Sequence, residues 1–194
     1  MILVITPETA FQNEAEMINR MFGEGLDLLH IRKPLFNRKE MTDLINAIDP
    51  SFYSQLVLHT HYDLGKDYPV SRFHFREADR EQGKYRPFMD GNIISTSVHD
   101  ITTYNILKEE WAYAFISPFF PSISKKGYGE GSTIMRDIRK RNNPDVKLVA
   151  LGGINADNIR SVLEAGADGI ALLGAVWENN QPLEVFKKCK KIIL

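Results

Sequence analysis

The segment Lys147-Leu148-Val149-Ala150-Leu151-Gly152-Gly153-Ile154-Asn155 is a short apolar run closed by two glycines. Continuous apolar character over so few residues is what a strand covered on both faces looks like. Downstream, Ile159, Val162 and Leu163 recur at the spacing of one helix face. Glu164-Ala165-Gly166-Ala167-Asp168-Gly169 then reads as a helix end, a left-handed cap and a strand entry. A second apolar run, Gly169-Ile170-Ala171-Leu172-Leu173, ends at Gly174, which is placed to open a short helix. The unit is therefore strand, helix, strand, with glycine at both strand ends.

The same alternation extends back to the first residues. Candidate strands fall at Ile2–Ile5, Leu26–Ile31, Leu56–Leu58, Arg72–Phe75, Asn92–Thr96 and Trp111–Ile116, besides Lys147–Leu151 and Gly169–Leu173. Met17, Met21 and Phe22 share one helix face, and Met41, Leu44, Ile45 and Ile48 another. About eight β-then-α units of roughly 24 residues each lie near the lower size limit of a (β/α)8 TIM barrel. A doubly wound α/β sheet uses the same alternation, but open sheets of this length usually hold about five or six strands. The expected architecture is one TIM-barrel domain over residues 1–194. After Leu58 there is room for little more than a turn of helix. The connection from Ser117 to Gly131 is long and rich in Gly, Ser and Lys, as functional loops often are.

Composition narrows the function. The chain has 194 residues, 24 Lys+Arg against 25 Asp+Glu, and a net charge of −1, which argues against a nucleic-acid binder. A single cysteine, Cys189, excludes an intrachain disulfide framework and fits a reducing compartment. No apolar run approaches the roughly 20 residues of a membrane span, and Met1 is followed at once by Ile2-Leu3-Val4-Ile5, unlike a secretory signal. A cytoplasmic protein is expected, with no membrane partner. Lys187, Lys188, Lys190 and Lys191 form the solvated face of a helix whose buried stripe includes Leu183, Phe186 and Ile193. Trp111 and Trp177 read as packing residues.

In such barrels chemistry sits at the carboxyl ends of the strands, with phosphate commonly held after strands seven and eight. Gly152 and Gly153 end the seventh strand, and Gly174-Ala175 follows the eighth. Glycine lets backbone N–H groups approach phosphate oxygens, and a helix N-terminus favours negative charge. Two such sites at neighbouring strand ends favour phosphate binding over tight corners alone. Ser122, Ser124 and Lys125, with Lys126, add hydroxyl donors and positive charge that would close over a phosphate. A solvated charged loop is the alternative.

All five histidines, His30, His59, His61, His74 and His99, lie at or just beyond the ends of strands two to five. Residues two apart in a strand share a face, so His59 and His61 are expected to point together, as are His30 and Arg32. A His-x-His pair can bind metal in hydrolases, but no further ligands at strands six to eight complete a cage. His99, in Ser95-Thr96-Ser97-Val98-His99-Asp100, ends strand five where an imidazole can reach the mouth and transfer protons near neutral pH. Asp100 is a candidate N-cap. A structural histidine capping the strand is the alternative.

Taken together, these motifs resemble the thiamine phosphate synthase and TenI superfamily over nearly the whole chain. The resemblance is carried by Val149–Asn155 running on to Gly166–Ala171, by Ser117-Pro118-Phe119-Phe120-Pro121-Ser122-Ile123-Ser124-Lys125, which is similar to the family's Gly-Pro-x-(aromatic)-Pro-Thr-x-Thr-Lys loop, and by Leu29-His30-Ile31-Arg32 and Ser97-Val98-His99. Synthases of the family join a pyrimidine diphosphate to a thiazole phosphate with Mg²⁺. Their strand-two Gln-x-Arg-Glu-Lys is here His30-Ile31-Arg32-Lys33-Pro34, and their strand-three Asn-Asp-Arg is His59-Thr60-His61. One metal-binding Asp is matched by Asp79. A neutral Thr60 cannot replace a carboxylate on a hard dication.

The TenI branch has the His-Ile-Arg form and Ser-Val-His, and tautomerises a thiazole carboxylate phosphate without metal. The resemblance thus implies a TenI-like thiazole tautomerase, with His99 as its catalytic group. Backbone around Gly152, Gly153, Gly174 and Ala175 would hold phosphate, and Arg32, with Lys33, would pair with the ring carboxylate. Ser122, Ser124 and Lys125 would close the site. No cofactor is expected. A thiamine phosphate synthase with Mg²⁺ at Asp79 is the alternative, and a non-catalytic protein binding a thiazole or thiamine phosphate is a third reading. Barrels of this size often pair, which leaves a homodimer open.

Overall fold

A computed structural model describes residues 1–121, 127 and 129–193. Among them, eight parallel strands close into a barrel in sequence order. In chain order, with the helices that follow each strand, they are β1 (Ile2–Ile5), α1 (Glu14–Gly23), β2 (Leu28–Ile31), α2 (Arg38–Asn46), β3 (Leu56–Leu58), β4 (Arg72–Phe75), α3 (Glu77–Glu81), β5 (Ile93–Val98), α4 (Ile101–Asn105), β6 (Trp111–Ile116), α5 (Ile134–Asp137), β7 (Lys147–Ala150), α6 (Ile159–Glu164), β8 (Gly169–Leu172), α7 (Gly174–Trp177) and α8 (Pro182–Ile193). The barrel expected from the alternation is the observed fold, with strand limits displaced by a residue or two. The ring of helices is uneven. α1, α2 and α8 span 10, 9 and 12 residues. Between β3 and β4 the chain makes only a 3₁₀ turn over Tyr62–Lys66, the short connection expected there.

Strand parity sorts the core into two layers. Ile2, Val4, Leu29, Ile31, Leu56, Leu58, Phe73, Phe75, Ala114, Ile116, Leu148 and Ala150 face outward against the helices. Leu3, Ile5, Leu28, Val57, Tyr113, Phe115, Val149 and Ala171 pack with one another inside the barrel. The interior is not uniformly apolar, because the inward positions of β2 to β5 also carry His30, His74, Ser95 and Ser97. The register pairs His30 with Val57, His74 with Ser95, and Ser97 with Phe115. That stagger brings side chains from four strands to one side of the barrel lumen.

The turn from α6 to β8 belongs to folding, as its sequence suggested. Gly166 caps α6 at φ +113°, and the Asp168 carboxylate accepts the Leu148 N–H at 2.7 Å while pairing with Arg141 at 2.6 Å. In α8, Leu183, Phe186 and Cys189 are buried while the lysines lie on the outer face. Trp177 is buried and donates its Nε1–H to the Ile5 carbonyl at 2.7 Å. No helix among the described residues is long and apolar enough to cross a membrane.

Candidate functional site

β5 ends one residue before His99, so this side chain leaves the sheet at the carboxyl end of the barrel, and it is half exposed. Asp100 caps the following helix, its carboxylate accepting the Thr103 N–H at 2.7 Å. With the backbone fixed on both sides, the His99 ring lies 2.9 Å from the Ser117 carbonyl through Nδ1. A carbonyl can only accept, so Nδ1 carries a proton, and in the neutral ring the lone pair is on Nε2. That Nε2 faces Glu77 Oε2 at 3.9 Å, beyond hydrogen-bond reach but within ion-pair range of an imidazolium. Glu77, the first residue of α3, is also tied to Arg80 at 3.0 Å. This proximity is not legible in the sequence pattern, because the two residues meet through the pairing of β4 with β5.

Gly152 and Gly153 have φ of +97° and +65°. A Cβ on Gly152 would sit 2.9 Å from Pro118 Cα, and one on Gly153 would sit 2.7 Å from Phe120 Cβ. The chain after β6 stays against the end of β7, with Phe119 N–H bonded to Leu151 O at 2.9 Å and Phe120 N–H to Gly152 O at 3.1 Å. The close approach of residues 118–121 therefore accounts for both glycines. Gly174 and Ala175 open α7, and first-turn N–H groups have no acceptor within their own helix. Ser122, Ser124 and Lys125 lie outside the described residues, as does Lys126.

Arg32 and Lys33 part company. The Arg32 guanidinium reaches Glu8 at 2.6 Å and is partly exposed. Lys33 is fully buried, with Nζ 2.8 Å from Glu14 Oε2 and 2.7 Å from the Thr9 carbonyl, over the Phe36 ring. Burial pushes its pKa down and that of Glu14 up. The structure thus gives Lys33 to the packing of the β1–α1 and β2–α2 connections, not to an open site. Asp79 is nearly buried, held by Arg76 at 2.8 Å and Lys84 at 3.0 Å. The Arg76 hydrogen bond keeps its carboxyl below the usual range.

The expected pairing of His59 with His61 does not occur, because β3 stops at Leu58 and His61 turns into the left-handed region at φ 51°. His61 Nε2 instead lies 2.8 Å from the Phe36 carbonyl. His59 meets two histidines from neighbouring strands. Its Nε2 is 2.9 Å from His30 Nδ1, and its ring stacks on His74 at 4.4 Å between centroids. His30 Nε2 is 2.8 Å from the Tyr113 hydroxyl. His74 touches Ser95 Oγ through Nδ1 and Ser97 Oγ through Nε2, both at 2.9 Å. Burial holds all three rings neutral, with His74 pushed down to about 3 and His30 and His59 well below the usual imidazole range.

The carboxyl end thus presents a histidine with a free Nε2, a nearby carboxylate, two arginines and the glycine-bearing ends of β7 and β8. Sequence comparison places that geometry. The family model described as thiamine monophosphate synthase (TMP-TENI) matches residues 2–176. The chain is 32% identical over 112 residues to a thiamine-phosphate synthase of Geobacillus thermodenitrificans, a match covering 56% of this chain and 50% of that protein. It is 26% identical over 186 residues to the thiamine-phosphate synthase of Oceanobacillus iheyensis, covering 93% and 82%. The first of these matches thus spans only half of the relative's length. The crystal structure of thiamine phosphate pyrophosphorylase from Bacteroides thetaiotaomicron superposes with a TM-score of 0.82 at 26% identity, covering 99% of this chain and 96% of that one. The chain belongs to the thiamine monophosphate synthase (TMP-TENI) family.

Proposed function

We propose that this chain is an enzyme of thiamine biosynthesis that anchors a phosphorylated thiazole at the carboxyl end of the barrel and moves a proton on its ring with His99. The observation that carries the proton-transfer reading is the His99 tautomer. The Ser117 carbonyl holds the proton on Nδ1, which leaves Nε2 as the base, and Glu77 stands where it stabilises the imidazolium that forms. The N–H groups of Gly152, Gly153, Gly174 and Ala175 supply the phosphate grip in this reading, with Ser122, Ser124 and Lys125 closing over it. Arg32 pairs with a ring carboxylate through donors that Glu8 does not use, since a guanidinium carries five.

A second reading, thiamine-phosphate synthase, is favoured by the names of the relatives quoted above. A Mg²⁺ ion for that reaction does not fit the residues present. The strand-three position holds Thr60, whose Oγ1 is buried without a hydrogen-bond partner among the described residues. Asp79, the carboxylate matched to the family's metal-binding Asp, is already engaged by two cations. Hard dications of this kind are bound through oxygen ligands that usually include one or two free carboxylates.

The test is an NMR or absorbance assay of the non-aromatic thiazole carboxylate phosphate in EDTA, with the unaltered protein and His99→Ala. Metal-independent conversion that falls by about 10²–10⁴-fold in the variant is the expected result. No conversion by the unaltered protein, with Mg²⁺-dependent joining of pyrimidine diphosphate and thiazole phosphate that is lost in Asp79→Ala, would establish the synthase instead. Phosphate-ligand binding without either turnover would leave a binding protein.

A further inference from the structure

The three histidines inside the barrel play no part in the proton transfer proposed above. The ligand-competent nitrogens of His30, His59 and His74 all lie within 4.8 Å of one another. His30 and His74 lie on β2 and β4, and His59 follows the last residue of β3, its N–H bonded to the Ile31 carbonyl at 3.3 Å. We propose that His30, His59 and His74 form a three-imidazole site for a borderline-soft divalent cation of the Zn²⁺ or Co²⁺ class, with its open coordination position toward the carboxyl end of the barrel. Imidazole suits these ions, while Mg²⁺ and Ca²⁺ take oxygen.

The outer contacts of the trio fit that role. A metal-bound histidine normally donates its other ring N–H to a neighbour that fixes the tautomer. His30 ligating through Nδ1 leaves Nε2–H for the Tyr113 hydroxyl at 2.8 Å. His74 ligating through Nε2 leaves Nδ1–H for Ser95 Oγ at 2.9 Å. Ser97 Oγ, now on His74 Nε2, would give way to the ion. Two nitrogens on one tetrahedral Zn²⁺, each about 2.0–2.1 Å from it, stand roughly 3.3 Å apart. The His30–His59 pair, at 2.9 Å, would therefore open by a few tenths of an ångström. The rings are already neutral, which is the form that ligates. The field of Arg32 and Arg76 opposes positive charge at His59, so the ion would need an anion as its fourth ligand. His59 is the least buried of the three and gives the ion its way in.

The test is titration of the metal-free protein with Co²⁺ and then Zn²⁺, following the visible bands of four-coordinate Co²⁺ and their loss as Zn²⁺ displaces it. The expected result is one equivalent bound, with affinity at least 100-fold weaker in His59→Ala and unchanged in His61→Ala, whose ring lies outside the trio. His59→Asn, which keeps a polar group of similar reach, guards against loss of fold, and a thermal melt of each variant verifies it. No stoichiometric uptake by the unaltered protein would overturn the proposal, as would equal loss in His59→Ala and His61→Ala. The readout is spectroscopic and independent of turnover, so failure of this site and failure of the tautomerase reading are separable.

Discussion

Mild acid should destabilise this barrel, and the histidine trio sets how strongly. Burial is the first cause that keeps His30, His59 and His74 neutral, with His74 pushed down to about 3. In the unfolded chain each titrates near 6.5. Between those limits the unfolded state binds more protons than the native one, so stability rises with pH through this window and is lost as pH falls below about 6.5. With the native rings unprotonated at pH 5, each unfolded imidazole gains RT ln(1 + 10^1.5), about 2 kcal/mol. Three such groups give about 6 kcal/mol as an upper bound, against a total stability of about 5–15 kcal/mol for a domain. Glu14 works the other way, since burial pushes its carboxyl up and its native state gains protons as pH falls, which trims the sum.

The assay is urea unfolding in EDTA, followed by circular dichroism between pH 7.5 and 5.0. Asp49, Asp79, Asp100 and Asp137 are all held below the usual carboxylate range, so their contributions fall away below this window. A His74→Leu variant should have about one third less of the pH dependence, whatever its absolute stability. A change of under about 1 kcal/mol between pH 7.5 and 5.0 would refute the reasoning, because it would mean that the rings protonate in place without disturbing the fold.

Other consequences are as specific. Lys33→Met leaves Glu14 buried without its cation and should cost about 3–5 kcal/mol, whereas Lys33→Met with Glu14→Leu should recover most of the loss, because the pair is desolvated on both sides; a double-mutant cycle in urea checks this. Gly153→Ala must move the Phe120–Pro121 backbone and hold alanine at positive φ, for a cost of about 1–3 kcal/mol, visible as a lowered melting temperature. Glu77→Gln removes the carboxylate facing His99 Nε2 and should lower turnover about tenfold or more while ligand binding is kept. Kinetics with a parallel binding titration separate the two effects, and an unchanged rate would remove Glu77 from the mechanism.

What could be read in advance follows the range of each physical rule. Apolar periodicity acts over a strand or a helix turn, so eight β-α units, the α8 stripe and the Gly166 cap were legible from residues alone. Parity also holds only while the strand lasts. It sorted the core into two layers, yet it failed at His61, because β3 stops at Leu58 and the next residues turn. Which residues meet across strands depends on register, and register is a property of the closed barrel. Hence His59 was matched with His61, its neighbour in sequence, when its partners are His30 and His74, 29 and 15 residues earlier and later in the chain. The same limit hid Glu77 from His99. Lys33 shows a different one. A lysine beside a strand end reads as a free charge, and only distant partners, the Glu14 carboxylate 19 residues back and the Thr9 carbonyl, turn it inward. The place of a residue at one strand end was therefore visible, as at His99, while contacts assembled across strands were not.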